Sequence, residues 1–197
     1  MAIALVGLPT VALAKISGSA HDLSAQSYTS EICNVCHTPH NADTTAAGLA
    51  APLWDHTITS TSSFTVYSSA TLNASMGQPA GVSKLCLSCH DGSVAIDSFA
   101  GATGSTNMTG NALVGTDLKN DHPVSFVYNT ALASTDGELF DPSAANSGPT
   151  STIDADLLFS SKVECASCHD VHNTAGLAKL LAVNNADSAL CLTCHDK

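Results

Sequence analysis

The chain has no arginine, and its permanent positive charge is six lysines spread over 197 residues. Seventeen Asp and Glu bring the formal charge to −11. Nucleic-acid binding works through clustered Lys and Arg, so that class of partner is excluded. Aromatic residues are also few: five Phe, three Tyr and one Trp. So small a supply of large apolar rings is thin for a core of side chains alone. No apolar run approaches the ~20 residues that span a bilayer, so no membrane span is expected in the mature chain. Proline at 39, 52, 79, 123, 142 and 149 limits long helices.

Cysteine is well supplied, and none is left over. The eight cysteines fall in Cys33-Asn34-Val35-Cys36-His37, Cys86-Leu87-Ser88-Cys89-His90, Cys165-Ala166-Ser167-Cys168-His169 and Cys191-Leu192-Thr193-Cys194-His195. Each is a Cys-x-x-Cys pair followed at once by His, the attachment signature of c-type haem. Two thiols at this spacing each form a thioether to a haem vinyl group, and the next imidazole binds the iron. Zinc sites need no His directly after the second Cys. Four c-type haems are therefore expected. Their flat apolar rings supply the core that the aromatic residues do not. The expected fold is mostly irregular coil with short helices and a few short strands, organised around a stack of four haems. Haem propionates make the holoprotein more acidic still.

The motifs repeat in pairs. Glu31 to Asn41 matches Val163 to Asn173, and each is followed by an Ala-Gly-Leu-Ala string, Ala47 to Ala50 and Ala175 to Ala178. Lys84 to Asp91 matches Ala189 to Asp196. The expectation is one tetrahaem domain over 15–197. It holds two two-haem units, about 31–92 and 163–197, joined by a loop-rich segment. Ser63 to Tyr67 and Val124 to Tyr128 read as short strands. Short turns at the motifs and Ala186 to Thr193 read as helical. Met1 to Ala14 is apolar and ends Ala12-Leu13-Ala14, which fits a signal peptide cut before Lys15, although the usual basic leader is missing. A short buried helix is the other reading of that stretch.

Nine histidines are present, and four are the proximal iron ligands His37, His90, His169 and His195. His21, His40, His56, His122 and His172 remain for at most four distal positions. His40 and His172 each stand three residues after a motif His and recur in the repeat. Neither ring reaches its own haem easily, so each is placed for a neighbouring one. His122 is set by Asp121 and Pro123. His56 follows Leu53-Trp54-Asp55 and is the expected spare, a polar residue beside a packed Trp. His21 lies on an arm with no cysteine on its N-terminal side, and is expected to reach into another subunit. Met76 and Met108 are the internal alternatives to His. Iron held by two imidazoles has low potential and no open site for substrate, which argues against an enzyme.

The paired layout, with Cys36-His37-Thr38-Pro39-His40-Asn41-Ala42, Ala51-Pro52-Leu53-Trp54, Leu85 to Gly92, Asn120-Asp121-His122-Pro123 and Cys165 to Asn173, resembles the doubled CXXCH multihaem cytochromes. More closely, it is similar to the OmcE-type tetrahaem cytochromes of metal-reducing microbes. That resemblance implies little secondary structure, bis-His haems, and extracellular filaments in which a His of one subunit completes a haem of the next. It implies distal ligation among His21, His40, His122 and His172. It also implies copies of the chain itself as partners, redox partner cytochromes and external electron acceptors. A secreted, extracellular or cell-surface place follows, with the periplasm as alternative. Two other functions compete. One is a monomeric periplasmic electron shuttle. The other is a multihaem oxyanion reductase, which needs one open iron and a basic funnel that six lysines do not provide.

Overall fold

The computed structural model describes residues 14–43, 46 and 51–197. The apolar start, Met1 to Leu13, and the string Ala47 to Ala50 lie outside the described residues. Regular structure is short throughout. In chain order the elements are α1 (Gly81–His90), β1 (Phe126–Val127), α2 (Thr130–Asp136), α3 (Ile153–Leu157), β2 (Lys162–Val163), α4 (Cys165–Cys168) and α5 (Ala189–Cys194). The two strands pair antiparallel, with Phe126 opposite Val163 and Val127 opposite Lys162. Among the described residues no helix is long and apolar enough to cross a membrane.

Among the described residues the apolar side chains collect in three small clusters. Phe126, Tyr128, Ala133, Ile153 and Val163 form the first. Trp54 and Leu85, with Ala46 and Ala51, form the second. Phe64, Leu87 and Leu118 form the third. Met76 packs against the first cluster as an ordinary apolar side chain.

The coil expectation stands, with local corrections. Ser63 to Tyr67 makes a single bridge, Thr65 to Asp117, rather than a strand. The Gln78 side chain takes the place of a partner strand at Phe64. Its Oε1 accepts from Phe64 N–H at 2.6 Å and its Nε2 donates to Phe64 O at 3.1 Å. In Val124 to Tyr128 only Phe126–Val127 is strand, because Ser125 has φ 62 and breaks the run. Helices α2 and α3 stand in the segment read as loop. Asn129 caps α2 by accepting from Leu132 N–H at 3.0 Å, and Gly137 closes it at φ 76. An Asn cap with Gly eight residues on was the available sequence signal.

The internal repeat is written into the backbone. Asn41 and Asn173, at matching positions, have φ 59 and 52. Leu53 and Leu180 have φ 59 and 55. A branched side chain with positive φ is uncommon, so two at equivalent places reflect one local fold used twice. The hydrogen bonds agree. Thr38 N–H donates to Leu53 O at 2.9 Å, as Asp170 N–H does to Leu180 O at 2.7 Å. Asp55 N–H donates to Cys36 O and Ala182 N–H to Cys168 O, both at 2.9 Å.

Candidate functional site: four motif turns and their imidazoles

Each motif closes as one helical turn. His37 N–H donates to Cys33 O at 2.9 Å, and His169 and His195 N–H donate to Cys165 and Cys191 O at 3.0 Å. The second motif forms the last turns of α1. Residues three apart on a helical turn share a face, so one turn presents both sulfurs together and the imidazole just beyond. None of the eight cysteines is joined in a disulfide.

Beyond the turn the chain straightens, and a second segment holds it. His37 bridges Trp54, His169 bridges Leu181 and His195 bridges Leu139, each antiparallel. The same segments orient the rings. His37 Nδ1 lies 2.8 Å from Pro52 O, and His169 Nδ1 lies 3.0 Å from Lys179 O. His90 Nδ1 lies 2.7 Å from Ala112 O. A carbonyl only accepts, so each Nδ1 carries the proton and donates. The other nitrogen, Nε2, keeps its lone pair for a metal. His122 Nδ1 donates in the same way to Pro123 O at 2.9 Å.

The imidazoles meet in twos. His21 and His90 have ring centres 6.0 Å apart, His37 and His172 6.2 Å, and His122 and His195 6.4 Å. Two metal–imidazole bonds of about 2 Å, with each ring centre roughly 1.1 Å behind its nitrogen, put two axial rings about 6.2 Å apart. Each pair joins one motif His to one His from outside the motifs. Among the described residues no three His, Cys, Asp or Glu gather on one point.

His21, the ligand expected to reach into another subunit, has its ring 6.0 Å from that of His90 in its own chain. The arm is not free. Lys15 N–H donates to His172 O at 2.7 Å, and Asn173 Nδ2 donates to Lys15 O at 3.2 Å. The arm is pinned at its start and lies back across the second unit. Burial lowers the pKa of His21, and the nearby charges of His90, His169 and His172 lower it further. Burial also lowers that of His195, with His122 and Lys197 adding to it. Both shifts favour the neutral ring, the form with a lone pair to give.

His40 and His169 are left over. Both are exposed, and neither ring meets another ring among the described residues. His56 differs in kind. It is 1% exposed, with Nδ1 2.8 Å from Thr57 O and Nε2 3.0 Å from Ala95 O. Trp54 packs on its edge and donates from Nε1 to His56 O at 2.6 Å. Both ring nitrogens lie against backbone carbonyls, and Cys89 Sγ is 3.5 Å from Nε2. His56→Ala is therefore expected to destabilise the fold by about 3 kcal/mol, through a cavity and an orphaned carbonyl. Its iron spectra should be unchanged; denaturation followed beside magnetic spectra checks both.

The sulfurs link the motifs in chain order. Cys36 acts electrostatically on Cys89, Cys86 hydrogen-bonds Cys165, and Cys168 acts on Cys194. Burial pushes the Cys36 thiol up to about 11 and Cys89 to about 12. The hydrogen bond from Cys86 lowers the pKa of the Cys165 thiol. Sequence reasoning missed the three orienting carbonyls, because any residue supplies a carbonyl. It also missed the buried Glu164, whose only signal was a charge where the first copy has Ile32.

Two thiols on one turn, a following imidazole with Nε2 free and a second imidazole opposite suit a c-type haem. When bound, that group supplies a one-electron iron couple. The chain's own part is to attach, orient and enclose it. No curated protein matches this chain. Residues 159–197, which hold the third and fourth motifs, match the family described as doubled CXXCH motif. That likeness rests on the last two motifs, and the Cys-x-x-Cys-His turns indicate covalently bound c-type haem.

Proposed function

We propose that the chain carries electrons through four covalently bound bis-His c-type haems, outside the cell, as the subunit of a conductive filament, and that it is not an enzyme. The observation that carries the reading is the three imidazole pairs at 6.0 to 6.4 Å. His37, His90, His169 and His195 are the proximal ligands, and His172, His21 and His122 stand opposite the first, second and fourth. His56, engaged on both nitrogens, is the spare. The iron at His169 then lacks a distal ligand within the chain, while His40 lacks an iron.

The repeat supports a way to satisfy both. His172 follows the third motif and faces His37 of the first motif, so the second unit reaches back to the first. His40 is the counterpart of His172 in the first unit. One more step of the same kind sets His40 of a following subunit opposite His169 of the preceding one. Such a head-to-tail contact does not close on itself and yields an open polymer. Partner cytochromes and external acceptors stand at its ends.

A monomeric shuttle keeps the same chemistry but leaves His40 without a use. Intact-mass measurement of the secreted protein should show four haems on a chain beginning at Lys15. Fewer haems, or bound zinc, overturn the haem reading. Electron microscopy of the same fraction should show filaments, and dispersed monomers at high concentration favour the shuttle.

A further inference from the structure

The two units differ in charge at the residue that precedes the first cysteine of each. Ile32 precedes Cys33, whereas Glu164 precedes Cys165. Glu164 is 2% exposed. The ion pairs of the described residues are Lys119 with Asp117 and Lys197 with Glu138, both at the surface, so no cation partners Glu164. A buried carboxyl without a cation is costly unless donors surround it.

Donors do surround it. Oε2 accepts from Ser83 N–H at 3.3 Å, from the Ser83 hydroxyl, and from the Ser125 hydroxyl at 2.8 Å. The direction of these bonds is set from behind. Ser83 Oγ accepts from Cys165 N–H at 2.9 Å, which leaves its own proton for the carboxylate. Ser125 Oγ accepts from Ala80 N–H at 3.0 Å, and its contact with Oε2 is shorter than the 3.3 Å to Ala80 O. Oε1 faces Gly81, where a Cβ would stand 3.1 Å away and where φ is +49. Three donors converge on Oε2.

This charge lies where the two middle motifs meet. Ser83 belongs to α1, which carries the second motif, and Glu164 is the cap of α4, which carries the third. Cys86 and Cys165 touch, and the charge of Glu164 acts on both. Asp91, the other buried carboxylate at a motif, lies beyond its far end and bonds Thr59 and Ser93 N–H. A negative charge in a low-dielectric interior favours the ferric over the ferrous state of nearby iron.

We propose that Glu164 is a tuning residue that holds the second and third haems at lower reduction potential than the first and fourth. The proposal rests on the four-haem reading above. Glu164→Gln removes the charge and keeps the size and an accepting oxygen. In the intact holoprotein, a reductive titration followed by absorbance should show two of four midpoints raised. We expect at least a tenfold change in each reduction equilibrium, or about 59 mV for a one-electron couple. Ser83→Ala keeps the charge and removes a donor that offsets it, so its midpoints should move the opposite way. If both variants shift the same way, the group is only a clamp between α1 and α4 and the proposal fails. Four attached haems with unmoved midpoints in Glu164→Gln also overturn it. Fewer than four haems in the unsubstituted protein overturn the parent reading instead, and intact mass separates the cases.

Discussion

His40→Ala is expected to abolish filaments while leaving four haems attached and the subunit folded. His40 is exposed and meets no ring among the described residues, so its loss disturbs no pair seen there. The turn around it keeps its bonds, with the Thr38 hydroxyl donating to His40 O at 2.8 Å through the backbone alone. What should disappear is the distal ligand proposed for the iron at His169 of the neighbouring chain. One iron in four becomes five-coordinate and high-spin, and subunits lose the bond that ties assembly to ligation. Size-exclusion chromatography and magnetic spectra of the same sample read the two effects together. Added imidazole should restore the low-spin signal without restoring filaments. Filaments from His40→Ala with four low-spin irons would falsify the assignment.

His21→Ala separates the internal ligand from the external one. It should also convert one iron in four to the high-spin state, because His21 faces His90 across 6.0 Å. Filaments should persist, since the arm bonds inward to His172 and Asn173. The newly opened iron is expected to bind cyanide tightly, which the unsubstituted protein should not do. Loss of filaments in His21→Ala, with retention in His40→Ala, returns the crossing role to the arm. The two variants thus share a spectrum and differ in assembly.

Much of this was legible in the sequence because covalent chemistry is local. A Cys-x-x-Cys-His turn needs only five consecutive residues, and each motif closes as such a turn whatever surrounds it. The repeat was visible as matching letters before it appeared as matching dihedral angles at Asn41 and Asn173. Scarcity of aromatic residues pointed to a thin side-chain core and short elements. Helix α2 was passed over because its flanks are polar, although Asn129 and Gly137 marked both ends. The strand read at Ser63 to Tyr67 failed because a side chain, Gln78, satisfied its backbone from a distance in sequence.

The sequence by itself determined the number of Cys-x-x-Cys-His turns, the repeat of the paired motifs and the shortage of cation. These follow from spacing and composition, which need no neighbours. Only the tertiary structure decided which imidazole faces which. That choice depends on contacts between segments far apart in the chain, such as His37 with His172 and His122 with His195. Composition could not place the arm inward, because its anchor is a pair of backbone-directed bonds at Lys15. Nor could it find the carbonyls that hold each Nδ1 or the donors that hold Glu164. Hydrogen bonds to backbone carry no residue code, so they become readable only when the chain has folded.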